Sequence, residues 1–215
     1  MMDKNQQYPW IIGISGASGT IYGRRLIQVL SLSFPNQQLE VVISEAAFRV
    51  MREEERIKIS ERNPSPKQLI DCEASNIRFH TNSDIGASIA SGSYKSAGMV
   101  IAPCSMATLS AVAHGYSHNL MHRAADVCMK EGRKLIIVPR ETPLSQIHLE
   151  NMLSLSRLGV SITAAMPGFY HQPVGILDIV DMLVMKILDQ MGFDLELVTR
   201  WTSQSQPSNT VLRCV

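Results

Sequence analysis

Four groups of residues in this 215-residue chain have the types and spacing to do chemistry. The first is the turn Gly13-Ile14-Ser15-Gly16-Ala17-Ser18-Gly19-Thr20, in which glycine recurs at every third position. Glycine lets the main chain take unusual torsions and lets a ligand approach it closely. The free N–H groups at the start of a following helix form a cradle for phosphate, and Ser18 adds a hydroxyl where turn becomes helix. The second group is Ser44-Glu45, directly after the apolar run Leu39-Glu40-Val41-Val42-Ile43. The third is Cys104-Ser105-Met106-Ala107-Thr108, whose small and hydroxylated residues suit either helix caps or the binding of ligand oxygens. The fourth is Arg140-Glu141, a cation beside a carboxylate that could move protons. Taken singly, each reads as a cap or a surface ion pair. Four such groups, each at the end of an apolar run, weaken that reading.

The elements that must position these groups follow from periodicity. An apolar strand runs into the glycine turn, and Tyr22, Leu26, Val29, Leu30 and Ser33 then mark one face of a helix that Pro35-Asn36 ends. The strand at 39–43 completes a β-α-β unit, which is parallel and right-handed. The charged helix through Glu53-Glu54-Glu55 presents its acids as a solvated face, with room for one carboxylate to turn inward. Residues 63–92 form the least regular part, rich in Pro, Ser, Asn and Gly, and the stretch Ser88-Ile89-Ala90-Ser91-Gly92-Ser93 reads as a loop at a site or subunit contact. Strands return at 98–103, 134–139 and 160–163. A helix from about Leu120 places Arg123 and Lys130 on one face, and a last helix spans 176–191. At least five strands alternating with helices predict an α/β class: a three-layer Rossmann-like fold with a mostly parallel sheet. The expected organisation is one domain over residues 1–201 and a polar tail over 202–215. In an open parallel sheet, ligands sit at the carboxyl ends of the strands, so all four groups converge on one edge.

Several chemistries are excluded by what is missing. The spacing G-x-x-G-x-x-G is not the dinucleotide G-x-G-x-x-G, and there is no G-x-x-x-x-G-K-[ST]. A net charge of +1 argues against nucleic acid as the main partner. Cys72, Cys104, Cys128 and Cys214 are scattered, which fits a reducing compartment better than a disulfide framework. The polar N-terminus lacks the core of a signal peptide, and no apolar run is long enough to span a membrane, so a cytoplasmic protein is expected. His114, His118 and His122 recur at four-residue steps, but Gly115 and a turn interrupt the face a metal would need, and no metal is expected. Cys104 lies near a helix start, where a thiol can be activated; a buried, inert thiol is the expectation. There is no nucleophile elbow and no Asp-rich D-D-x-x-D run for a magnesium diphosphate.

Six motifs together resemble the UbiX-type flavin prenyltransferases, within the FMN-binding, cysteine-decarboxylase-like flavoproteins. They are Gly16-Ala17-Ser18-Gly19, Pro103-Cys104-Ser105-Met106-Ala107-Thr108-Leu109, Asn119-Leu120-Met121-His122-Arg123-Ala124-Ala125-Asp126, Val138-Pro139-Arg140-Glu141-Thr142-Pro143, His148-Leu149-Glu150-Asn151-Met152 and Phe169-Tyr170-His171-Gln172-Pro173. The resemblance covers residues 11–201. It implies a homododecamer that attaches a dimethylallyl group, from dimethylallyl monophosphate and without metal, to reduced FMN. The product, prenylated FMN, would serve a UbiD-type decarboxylase, including the one in ubiquinone synthesis. By the same resemblance Gly16, Ala17, Ser18, Ser44, Ser105, Met106, Ala107, Thr108 and Arg140 match FMN-contacting positions. Tyr170 and Lys186 match the holders of the prenyl phosphate, with Arg123 and Lys130 as further cations around it. Glu141 matches the catalytic acid, with Ser18, Tyr170 and the site aromatic Trp201 as the other catalytic positions, and Glu54 matches an acid near the site. Many members carry arginine at the position of Lys186; lysine keeps the charge and loses the bidentate fork. The resemblance also implies a site assembled between subunits. The alternatives are an FMN-dependent cysteine decarboxylase, which would need a catalytic histidine and a substrate clamp not placed here, and a flavin-binding protein without turnover. A nicotinamide oxidoreductase has Glu45 available after the second strand, but the glycine spacing counts against it.

Overall fold

A computed structural model describes residues 8–201 of the chain. Its centre is a six-stranded sheet in the order β3-β2-β1-β4-β5-β6, with every neighbouring pair parallel. The strands are β1 (Trp10–Ile14), β2 (Leu39–Ile43), β3 (Ile77–Thr81), β4 (Gly98–Cys104), β5 (Lys134–Pro139) and β6 (Ser161–Ile162). The helices are α1 (Thr20–Ser33), α2 (Glu45–Glu55), α3 (Pro66–Ile70), α4 (Met106–Ala113), α5 (Leu120–Lys130), α6 (Gln146–Arg157) and α7 (Ile176–Met191), with a single 3-10 turn at Ser88–Ala90. The chain winds outward from β1 in both directions, so the strand order reverses between β1 and β4.

Both faces of the sheet are covered, which is why its central strands read as unbroken apolar runs rather than alternating ones. Trp10, Ile12 and Ile14 point into one core, shared with α1 and α7. Ile11 points the other way, into a core with Met99, Ile101 and residues of α4, α5 and α6. Helix α1 lies unusually close to the sheet: a Cβ on Gly23 would come within 2.1 Å of the Ala102 carbonyl oxygen. On the predicted face of α1, Leu26, Val29 and Leu30 are fully buried, while Tyr22 and Ser33 reach its partly exposed margin.

Two expectations change. The stretch at 63–92 holds helix α3 and strand β3. The strand is half-buried at the sheet edge, and Ile77 and Phe79 pack against the core as its only large apolar residues, too short a signal for periodicity. Its place is fixed by β2, through the register Leu39↔Ile77 and a hydrogen bond from Asn76 Nδ2 to the Gln37 carbonyl at 2.8 Å. The expected strand at 160–163 shortens to Ser161–Ile162. Among the cysteines, Cys104 and Cys128 are free and buried, whereas Cys72 is disulfide-bonded, against the expectation of a chain without disulfides. Residues 1–7, the tail at 202–215 and Cys214 lie outside the described residues.

One buried ion pair ties the first helix to the last. Arg25 donates from Nε and Nη2 to the two Asp181 oxygens at 2.7 and 2.9 Å, and from Nη1 to Gln28 Oε1 at 2.7 Å. Both charged side chains are about 95% hidden from solvent. Such a pair contributes little over an apolar replacement, but removing one partner strands a buried charge. Asp181→Ala is therefore expected to destabilise by about 3–5 kcal/mol, and Arg25→Met with Asp181→Leu by much less; denaturant unfolding of the three proteins checks both.

Candidate active site

The reversal of strand order opens a crevice at the carboxyl ends of β1 and β4, and Ser15 closes its floor. Buried at 1% exposure, Ser15 donates its hydroxyl to the Pro103 carbonyl at 3.0 Å and accepts from Ser105 N–H at 2.7 Å. Its own N–H reaches the same carbonyl at 3.2 Å. The two strand ends are thus locked in register just where each gives way to a helix. Beside them a Cβ on Gly16 would sit 2.3 Å from Ala46 Cβ, so only glycine lets this turn lie against the start of α2. Gly19, at φ +91°, takes the left-handed conformation that opens α1.

Two helix starts face this point. Ser44 caps α2 by accepting from Ala47 N–H, and Ser105 caps α4 by accepting from Thr108 N–H. Ser105 also donates to Thr108 Oγ1 at 3.1 Å. In both helices the first N–H groups, at Glu45 and Ala46 and at Met106 and Ala107, are the orphan donors of a helix start. Gly16, Ser44, Ser105, Ala107 and Thr108 line one cavity of about 700 Å³, whose wall also holds Tyr116, His118 and His122. That volume lies in the range of small-molecule sites. A cavity with two helix dipoles, several hydroxyls and a glycine turn at one end suits an anion, phosphate above all. The residues fit the phosphate end of a flavin mononucleotide.

The start of α1 is occupied differently. Gly19 N–H donates to Glu54 Oε2 at 2.9 Å, and Glu55 accepts from Thr20 Oγ1 and from Arg24. Within the acid run Glu53 and Glu54 are exposed, as a solvated face requires, and Glu55 is the one carboxylate that turns inward. A carboxylate holds the α1 N-terminus, and the anion cradle shifts to α2 and α4. Ser18 accordingly does not line the cavity; its carbonyl accepts from Arg140 Nε at 3.1 Å, which lays Arg140 across from β5 onto the glycine turn. Glu141 follows, exposed, with one oxygen accepting from Thr142 N–H. Ala17 and Met106 are buried.

Tyr170 and Trp201 meet edge to face, ring centres 5.8 Å apart, and both are open to solvent at 38% and 74% exposure. A Cβ on Gly168 would touch Tyr170 and Met182. Lys186, exposed, stands one helical turn beyond Met182 on the same side of α7. Arg123 and Lys130 are engaged elsewhere. On α5, Arg123 binds the Ala90 carbonyl and Asp126, while Lys130 pairs with Glu131 beside Gly92. Neither lines the cavity.

The histidines form no metal cluster: among the described residues no three His, Cys, Asp or Glu side chains could hold an ion. His114 bonds to the Ser110 carbonyl on its own helix, and His118 and His122 bond to each other. Cys104 is buried, and desolvation pushes its thiol far above the ordinary range, as an inert thiol requires. Ser15 was given no role by the sequence, because a serine inside a glycine-rich turn looks like any other small residue.

Comparison with known proteins agrees with this geometry. A family model described as Flavoprotein matches residues 2–190. The flavin prenyltransferase UbiX of Halalkalibacterium halodurans is 50% identical over 192 residues, covering 89% of this chain and 92% of that protein. That of Methanothermobacter thermautotrophicus is 43% identical over 194 residues, covering 90% and 95%. A dodecameric FMN-dependent UbiX-like decarboxylase from Escherichia coli O157:H7 superposes with a TM-score of 0.81 at 41% identity, over 91% of this chain and all of that one. AnUbiX (PadA1), solved with FMN and dimethylallyl pyrophosphate, gives 0.79 at 33% identity, over 92% and 99%. A PPC decarboxylase shares the fold alone, with a TM-score of 0.54 at 16% identity. The chain belongs to the flavoprotein family, among relatives that are UbiX flavin prenyltransferases.

Proposed function

We propose that the chain is a flavin prenyltransferase, joining a dimethylallyl group from dimethylallyl monophosphate to N5 and C6 of reduced FMN. The observation that carries this reading is the division of the strand edge into two parts. One is a neutral cradle of helix starts and hydroxyls; the other, in this reading, gathers Arg140 on the glycine turn, the neighbouring Glu141, the Tyr170–Trp201 pair and Lys186 into a cationic and aromatic rim. The first suits a phosphate that stays, the second a phosphate that leaves. The level of identity to curated flavin prenyltransferases supports the same assignment.

Reduced FMN, when bound, supplies the nucleophilic nitrogen and the ring carbon that are alkylated. The protein's part begins with Gly16, Ser44, Ser105 and Thr108 holding the flavin phosphate, with Ala17, Met106 and Ala107 contributing main chain. Arg140, braced on the Ser18 carbonyl, orients what lies beside the turn. Tyr170 and Lys186 hold the donor phosphate; as its C–O bond breaks, cations nearby stabilise the charge that develops on it. The indole face of Trp201 stabilises positive charge on the allylic carbons. Closure onto C6 exchanges a proton between the ring carbon and the prenyl alkene, and Glu141 and the departing phosphate are the groups available to carry it.

The site is completed by other copies of the chain. Arg123 and Lys130 do not line the cavity of their own chain. Large apolar side chains, among them Ile147, Leu153, Phe169, Val174 and Trp201, are left exposed, as surfaces that pack against a neighbouring copy would be. Packing of these surfaces into a dodecamer, as in the Escherichia coli relative, would carry the two cations to a neighbour's rim. We further read residues 1–201 as one flavoprotein domain, and the product as the cofactor of a UbiD-type decarboxylase of the cytoplasm, including that of ubiquinone synthesis. No helix among the described residues is long and apolar enough to cross a membrane.

Anaerobic incubation with reduced FMN and dimethylallyl monophosphate, followed by mass spectrometry of the flavin, tests the reading. A flavin heavier by one dimethylallyl unit is expected, and an unmodified flavin contradicts the assignment. Glu141→Gln is expected to slow formation of that product by about 10²-fold or more, with FMN affinity unchanged. Lys186→Arg restores a bidentate fork and is expected to lower the KM for the donor several-fold at similar kcat.

A further inference from the structure

Two histidines in the wall of the flavin cavity have no part in the chemistry above. His122 is buried on α5 and His118 is exposed on the connection before it. Their Nδ1 atoms are 3.2 Å apart and their rings meet edge to face at 4.7 Å. Tyr116 packs against the His118 ring at 4.9 Å. Both histidines line the cavity that contains Ser44, Ser105 and Thr108, and His118 also borders a second cavity on the other side of Ser44.

Two imidazole nitrogens at this separation share one hydrogen, so one ring donates and the other accepts. Burial first, and the neighbouring His118 second, push His122 down to about 4. His122 therefore stays neutral, and because its ring N–H is engaged by the Tyr116 backbone it serves as the acceptor toward His118. The shared hydrogen belongs to His118, whose Nε2 is left as the proton site of the pair. A proton there gives an imidazolium bonded to a neutral imidazole, a charge-assisted arrangement.

The cavity supplies a reason for that proton to arrive. Among the described residues that line it there is no lysine or arginine. A phosphate monoester near neutral pH carries close to two negative charges, and helix starts and hydroxyls offer only partial positive charge in return. Around the pair stand His114 and Tyr116 on its own connection, and Glu45, Glu61, Arg62 and His80 around the second cavity. Arg123 and Asp126, next along α5, are paired with each other. Glu45 and Glu61 favour a cation at His118, and Arg62 opposes it.

We propose that His118, held by His122, is a proton-linked contact for the phosphate end of the flavin, taking up a proton as a phosphate monoester enters the cavity. The inference rests on the flavin assignment and adds a pH-dependent element of specificity to it. Histidine ordinarily titrates near 6.5; an anion beside it raises that value, so the contribution to affinity is present at low pH and is lost as pH rises through the raised value.

Calorimetric titration with FMN at pH 7, in two buffers of different ionisation enthalpy, measures the protons taken up on binding. The wild-type protein is expected to take up a substantial fraction of one proton more than His118→Asn. That variant is expected to bind FMN several-fold more weakly at pH 6 and to match the wild type at pH 8.5. His122→Gln, which keeps an acceptor for His118 Nδ1–H, is expected to retain the uptake. Equal uptake in the wild type and His118→Asn, with a clear heat of binding in both, would overturn the proposal. Absence of any FMN binding to the wild-type protein would instead overturn the flavin assignment.

Discussion

The close approach of the β1 and β4 ends governs the rest of this structure. Ser15 donates to one side of the junction and accepts from the other, joining Pro103 and Ser105 to the glycine turn. Leaving either buried partner unsatisfied would cost about 1–3 kcal/mol, so the two strand ends hold one relative position. From that position the start of α4 is fixed through Ser105. The start of α2 is fixed through the contact of Gly16 with Ala46. The cavity is what remains between them.

This arrangement separates two ways of holding an anion. Inside, neutral dipoles at the starts of α2 and α4 can hold a phosphate without a fixed cation, which suits a group that remains bound throughout a reaction. Outside the cavity, Arg140 and Lys186 carry full charge, and Tyr170 with Trp201 offers aromatic surface to a cation. The third helix start is not available to either phosphate as it stands, because Glu54 occupies it. A carboxylate so placed gives the glycine turn a negative neighbour on the Arg140 side and leaves the cavity side neutral.

Much of this was legible in the sequence because it depends on short-range signals. Apolar runs ending in Gly13-Ile14-Ser15-Gly16, Ser44, Ser105 and Arg140 gave the parallel strands and the edge on which they converge. Helix α7 and strand β5 were bounded by their own turn residues. Strand β3 was not legible, since Ile77 and Phe79 alone carry its apolar character and its position depends on β2. The role of Ser15 was hidden too, because a hydrogen bond to a residue 88 positions away leaves no local trace. The contacts of Glu54 and Glu55 with the start of α1 depend on how α2 packs, and a run of three acids does not say that Glu55 is the one that points inward. The motif resemblance named Arg123 and Lys130, and only the structure shows that their partners are Asp126, the Ala90 carbonyl and Glu131 rather than residues of the cavity wall.

The most direct test of the cradle compares the affinities of FMN and riboflavin for the protein as it stands and for Gly16→Ala. The phosphate contacts are several charge-assisted hydrogen bonds, so FMN is expected to bind about 10²-fold or more tightly than riboflavin. In Gly16→Ala the added methyl forces the turn away from Ala46, and most of that preference should disappear. Equal affinity of the two flavins for the unaltered protein would contradict the cradle, and with it the placement of the active site at the β1–β4 junction.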